Sequence, residues 1–166
     1  MAILELYRAM SPRWSFAPMS GEGAAMNGGR FNRVGVPTLY LAADFFTAIE
    51  EYRQGHNLRP NTSAQYDLHD ANLADLVDPA SRAELEVDED ALTCAWRYIA
   101  KKGGEPSSWI VADRLCTAGY HGLTYRSRFT GGRCVALWDW NKDGAPLLEV
   151  HDPGGLLPRN DASWRD

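Results

Sequence analysis

The chain has 166 residues, 45% of them hydrophobic and 23% charged, with a formal net charge of −5 and a pI near 5.3. That size suits one domain with a full core, and the acidic balance excludes a general nucleic-acid-binding surface, which needs a basic face. No run of about 18 apolar residues occurs, so no membrane span is expected. In chain order, residues 4–9 read as a first strand. Residues 11–32 form a long polar, glycine-rich connection without periodicity, the kind that is functional or disordered in compact domains. Residues 38–42 are the second strand. Asp44 is placed to cap a helix running to Gln54, with Phe45, Ala48, Ile49 and Tyr52 as its apolar face and Gly55 as its stop. Residues 65–69 alternate as a strand. Residues 90–102 read as one helix, with Leu92, Ala95, Trp96 and Ile99 on one face and Lys101-Lys102 in its last turn. Residues 108–118 are another helix, closed by Gly119. Strands follow at 122–126, 133–138 and 147–150, and residues 151–166 are a Pro-, Gly- and Asp-rich C-terminal tail, expected to be poorly ordered. Strands early and late with helices between predict a single α+β domain over residues 1–150 rather than a doubly wound fold.

The densest signal is Asn27-Gly28-Gly29-Arg30-Phe31-Asn32-Arg33. Glycine permits positive φ and close backbone approach, successive N–H groups in such a turn can form an anion-binding concavity, and an arginine adds a planar fork suited to phosphate. Tyr40 follows on a strand and Glu50-Glu51 on the next helix, so arginine, tyrosine and glutamate fall within about twenty residues. Taken singly, each has a plainer reading: a tight turn, a surface ion pair, a core aromatic, a solvated helix face. Helical geometry puts Glu50 and Glu51 on opposite shoulders of the apolar face and leaves open which one meets a pocket.

Other motifs fail. Gly21-Glu22-Gly23 lacks the third glycine of a dinucleotide fingerprint and no strand leads into it; no Walker lysine or GxSxG elbow is present. The histidines at 56, 69, 121 and 151 have no ligand spacing, so no metal is expected. The odd, scattered cysteines at 94, 116 and 134 point to reduced thiols in a cytoplasm. Met1–Glu5 has neither a charged nor an apolar leader pattern, so no signal peptide is expected.

Together, Ser20-Gly21-Glu22-Gly23-Ala24-Ala25, Gly28-Gly29-Arg30-Phe31-Asn32, Pro37-Thr38-Leu39-Tyr40-Leu41-Ala42 and Thr47-Ala48-Ile49-Glu50-Glu51 resemble the RES domain. Gly119-Tyr120-His121-Gly122-Leu123-Thr124-Tyr125-Arg126-Ser127 is similar to that family's second block, so the likeness runs from about Tyr7 to Leu137. Phe31 stands where the family more often has tryptophan. The resemblance implies the toxin half of a type II RES–Xre toxin–antitoxin pair, with an ADP-ribosyltransferase-like split mixed β-sheet of the diphtheria-toxin type and flanking helices. It implies NAD+ as substrate, cleaved at the nicotinamide–ribose bond, with water, phosphate or a protein as acceptor, and an Xre-type antitoxin blocking the site.

By motif match, the family's functional positions are Arg30, Tyr40, Glu51 and Ser127; its spacing, eleven residues after the tyrosine, selects Glu51 over Glu50. In that chemistry an oxocarbenium-like ribosyl cation forms while nicotinamide departs neutral, so no general acid is needed and one carboxylate can suffice. Glu51 is expected at the ribose, Tyr40 against nicotinamide, Ser127 near the same centre, and Arg30 on pyrophosphate or ribose with help from the Gly28 and Gly29 amides. The alternative is a catalytically inactive NAD+- or ADP-ribose-binding module that works through partner contact.

Overall fold

The computed structural model describes residues 2–165. β1 (Ile3–Met10) leads through a 3-10 turn at Pro12–Trp14 to a short helix, α1 (Glu22–Asn27), within the stretch expected to lack structure. α1 buries only Ala25, so it leaves no apolar periodicity to read. β2 (Leu39–Ala42) and α2 (Phe45–Arg53) lie where expected. Asp44 caps α2, its carboxylate accepting the Thr47 N–H at 2.7 Å and the Thr47 hydroxyl at 2.8 Å. The expected apolar face needs correction: Ala48 is buried, but Phe45 is 53% exposed and Ile49 and Tyr52 are half-buried. The helix rests on the sheet through small residues, with Ala42, Ala48 and Cys134 in one cluster flanked by Tyr7 and Tyr125.

β3 (Thr62–His69) runs longer than predicted, and two unpredicted short elements follow, β4 (Leu73–Asp75) and α3 (Pro79–Glu84). The helix expected over 90–102 is two helices, α4 (Asp90–Thr93) and α5 (Trp96–Lys101). Cys94 breaks it with an extended ψ of 146°. α6 (Ser107–Thr117), β5 (Gly122–Arg126), β6 (Arg133–Leu137) and β7 (Leu147–Val150) match their predictions within a residue. The tail contains local structure: Asp152 accepts the Leu156 and Leu157 N–H groups, and Ala162–Trp164 form a 3-10 turn.

The strands form one curled mixed sheet in the order β4-β5-β6-β2-β1-β3-β7. Only β4 and β5 are parallel, joined by the long crossover that carries α3 to α6. β1 and β3 align over eight residue pairs, but β1 and β2 meet at one, Tyr7 opposite Ala42. The sheet is therefore almost split at its middle. Period-two alternation buries both faces. Leu39, Leu41, Val135 and Leu137 join Leu6, Tyr66, Leu68 and Leu148 in a core made mainly by strands. Leu123 and Ala136 point the other way, packing with Phe31, Val111, Ala112 and Leu115 beneath α6.

Candidate active site

A cleft of about 1160 Å³ opens where β1 and β2 part. Arg30, Tyr40, Glu51 and Ser127 all line it, as do Gly28 and Gly29. Residues 92–98, from the end of α4 into the first turn of α5, form another part of its wall.

Arg30 sits in a tight turn closed by the Gly29 N–H donating to the Asn32 carbonyl at 3.0 Å. Its guanidinium Nη1 donates at 3.0 Å to the Cys94 carbonyl, which at the helix break also accepts the Trp96 N–H at 2.8 Å. Gly28 ends α1 at φ 71°, a conformation that favours glycine, and donates to the Ala24 carbonyl at 2.8 Å. Gly29 is needed for space: a Cβ there would collide with the Tyr40 hydroxyl and lie 2.8 Å from its Cζ. The expectation that these two amides cradle an anion is thus corrected, because both N–H groups are spent inside the loop.

Tyr40 stands on β2 with its hydroxyl donating to Asn32 Oδ1 at 2.7 Å and accepting the Phe31 N–H at 3.0 Å. Burial pushes its pKa well up, against the Phe31 N–H and the Arg30 charge, so the hydroxyl stays neutral. With that hydroxyl engaged on the loop, the phenol ring is what the cleft meets. Asn32, 2% exposed, organises the whole turn: its Nδ2 also donates to the Ala24, Arg33 and Val36 carbonyls. Asn32 lies within the glycine-arginine motif, but its local pattern carries no sign of this role.

The adjacent glutamates divide. Glu50 pairs with Arg53 at 2.8 Å on the helix surface, whereas Glu51 lines the cleft. The Glu51 charge acts on the groups beneath it: burial first and Glu51 second push the Cys134 thiol up to about 12. Tyr125 is raised well above its ordinary value, chiefly by burial, with Cys134, Glu51 and Tyr40 adding and Arg30 opposing. Tyr125, which lies in the second motif block without an expected role, has its ring centroid 4.9 Å from that of Phe31 and lines the cleft. For Cys94, burial raises the pKa, but the Ser108 N–H, the Ser108 and Ser107 hydroxyls and Arg30 outweigh it and leave a net lowering.

Ser127 is 3% exposed and its Oγ accepts the Phe129 and Thr130 N–H groups at 3.1 and 3.3 Å. Its oxygen therefore shapes the β5–β6 loop, and only its hydrogen remains to donate elsewhere. That loop is tied to α2, since the Thr130 and Thr47 hydroxyls lie 2.7 Å apart.

The cleft is basic in an acidic chain. Arg8, Arg30, Arg82, Arg97, Arg126 and Arg128 line it against two carboxylates, Glu51 and Glu89. None of these arginines is in an ion pair among the described residues, whereas Arg33, Arg53, Arg114, Arg133 and Arg165 all are. Four of the cleft arginines donate instead to the carbonyls of Pro18, Cys94, Leu76 and Gly131, which hold them without neutralising them. Unneutralised guanidiniums are donors whose geometry suits a phosphate or carboxylate, and here they lie beside aromatic rings. Among the described residues no three His, Cys, Asp or Glu side chains gather to hold a metal ion, and no helix is long and apolar enough to cross a membrane.

Fold and cleft define a single-domain α+β protein with an arginine-lined pocket at a sheet seam. The RES domain family model matches residues 5–160, and the chain belongs to that family. Its fold is similar to a chain in the crystal structure of the M. tuberculosis MbcT–MbcA toxin–antitoxin complex. That match has a TM-score of 0.65 and 17% identity, covering 98% of this chain and 87% of that one. No curated protein matches the chain.

Proposed function

We propose that the protein is the toxin of a toxin–antitoxin pair and cleaves the nicotinamide–ribose bond of NAD+ in the cytoplasm, held in check by an Xre-type antitoxin that covers the cleft. One observation carries the catalytic part: Arg30, the Tyr40 ring and the Glu51 carboxylate converge on a single cleft whose arginines lack carboxylate partners. RES-family membership and the likeness to a chain of a toxin–antitoxin complex support the biological part.

In this reading the unpaired arginines take the pyrophosphate, a permanently anionic group suited to forked donors. The Tyr40 ring packs on nicotinamide, its hydroxyl already committed to Asn32 and Phe31. The Glu51 carboxylate faces the ribose and stabilises positive charge as the C1′–N bond breaks. The bonding pair leaves with nicotinamide, which departs neutral, and an acceptor attacks C1′ with loss of its proton. Ser127 supports the site through its loop and can donate its hydroxyl hydrogen into it.

The test is incubation of purified protein with NAD+, with and without phosphate and cell extract. Nicotinamide release is the expected result, and mass spectrometry of the partner product names the acceptor: ADP-ribose for water, its 1″-phosphate for phosphate, a labelled band for a protein. NAD+ binding without nicotinamide release would replace the enzyme with a binding module.

A further inference from the structure

Three successive peptide planes around Arg30 are each held by an aromatic side chain. The carbonyl of Gly29, in the plane before Arg30, accepts the Trp109 indole N–H at 2.7 Å. The N–H of Phe31, in the plane after it, donates to the Tyr40 hydroxyl at 3.0 Å. The carbonyl of Phe31, one plane further, accepts the Trp138 indole N–H at 2.9 Å. Fixing the planes on both sides of a residue fixes its φ and ψ, since these are the only soft backbone dihedrals it has. The direction of the Arg30 Cα–Cβ bond follows.

The indoles come from separate elements, Trp109 from α6 and Trp138 from the residue after β6. Trp109 is itself braced. The Arg33 guanidinium lies 5.6 Å from its ring centroid and pairs with Glu105 and Asp113, both at 2.5 Å. Trp138 is 8% exposed in the core beneath α6. We infer that Trp109 and Trp138 are positioning residues that aim the Arg30 guanidinium into the cleft. The inference rests on the cleft being the NAD+ site proposed above.

The test removes the donors and keeps the rings. Replacing tryptophan by 3-benzothienylalanine exchanges the N–H for sulfur at nearly constant shape. Trp140, which donates to Met19 on another part of the chain, is the control. Arg30 is assigned to binding, so its misplacement raises KM more than it lowers kcat. Loss of one indole donor is expected to raise the KM for NAD+ about tenfold at position 109, and less at 138, one plane further from Arg30. Replacement at 140 leaves KM unchanged. In an Arg30→Lys background the further rise disappears, because the misdirected fork is already gone. Unchanged KM at both 109 and 138, or a rise that persists undiminished beside Arg30→Lys, overturns the inference. A wild-type protein that releases no nicotinamide defeats the functional reading separately. Hydrogen exchange then decides the clamp: a protected Phe31 amide that loses protection on replacement of Trp109 upholds it, and an amide that exchanges freely in the wild type overturns it.

Discussion

Glu50 and Glu51 are chemically identical neighbours with different surroundings. Glu50 is occupied by Arg53 on the surface of α2, and Glu51 faces the cleft. Glu51→Gln keeps the shape and removes the charge, so kcat for nicotinamide release is expected to fall on the order of 10²–10³-fold. Glu50→Gln loses only a partly exposed i,i+3 pair and should retain near-wild-type rates. Equal losses in the two variants would show that the cleft carboxylate has no special part. Asn32 makes a second case at this scale, because its two amide hydrogens are shared among three carbonyls and its oxygen accepts the Tyr40 hydroxyl inside the core. Asn32→Ala takes the acceptor from the buried Tyr40 hydroxyl, while the Ala24, Arg33 and Val36 carbonyls keep the Gly28 N–H, the Val36 N–H and the Thr38 hydroxyl, so urea denaturation should show a loss of about 1–3 kcal/mol. That Arg30 and Tyr40 fall near one another was legible in the sequence because side-chain type and spacing are local properties; helical geometry left Glu50 and Glu51 open, and the resemblance to the family's spacing chose the one that lines the cleft. The occupation of the Gly28 and Gly29 amides was not, because their acceptors, Ala24 and Asn32, depend on a helix and a turn too short to leave a pattern.

Elements were legible in proportion to their length and regularity. α6 and the late strands announce themselves through periodicity and glycine stops, whereas β4 has three residues and α4 four. The break at Cys94 lies inside a continuous helical pattern, and only the structure reveals that the Cys94 carbonyl meets Arg30. The β5–β6 loop shows how such a connection acquires a task. Ser127 gathers the Phe129 and Thr130 amides, and the Thr130 hydroxyl meets the Thr47 hydroxyl beside the α2 cap, linking this loop to the helix that carries Glu51. Ser127→Ala is therefore expected to speed amide exchange at Phe129 and Thr130 and to cost about 1–3 kcal/mol, since two donors lose their acceptor. Unchanged exchange at both amides would confine Ser127 to direct contact with the ligand.

At the scale of the whole molecule, the single registered pair between β1 and β2 makes the cleft, and no strand pattern could have shown it. Alternation tells which face a side chain takes but not how far two strands stay together. The same packing buries phenols in different parts of the fold: Tyr40 on β2 against the cleft loop, Tyr125 on β5 lining the cleft, and Tyr66 in the core between strands, donating to the Pro18 carbonyl at 2.7 Å. Burial is the largest cause of a raised pKa at all three, from an ordinary value of 10.0. The unfolded chain releases these protons near 10.0 and the folded chain retains them, so above that pH the unfolded state binds fewer protons and stability falls as pH rises. Their contribution is complete below the unfolded value and is lost on climbing through the folded ones. Urea denaturation across about pH 8–11 should give a plateau followed by a steep decline. Tyr66→Phe should make that decline shallower, since phenylalanine keeps the ring and has no proton to lose. A profile flat to about pH 11 would mean that the three phenols titrate alike in both states, and that these hydroxyls are not sealed in the core as the hydrogen bonds to Asn32 and Pro18 require.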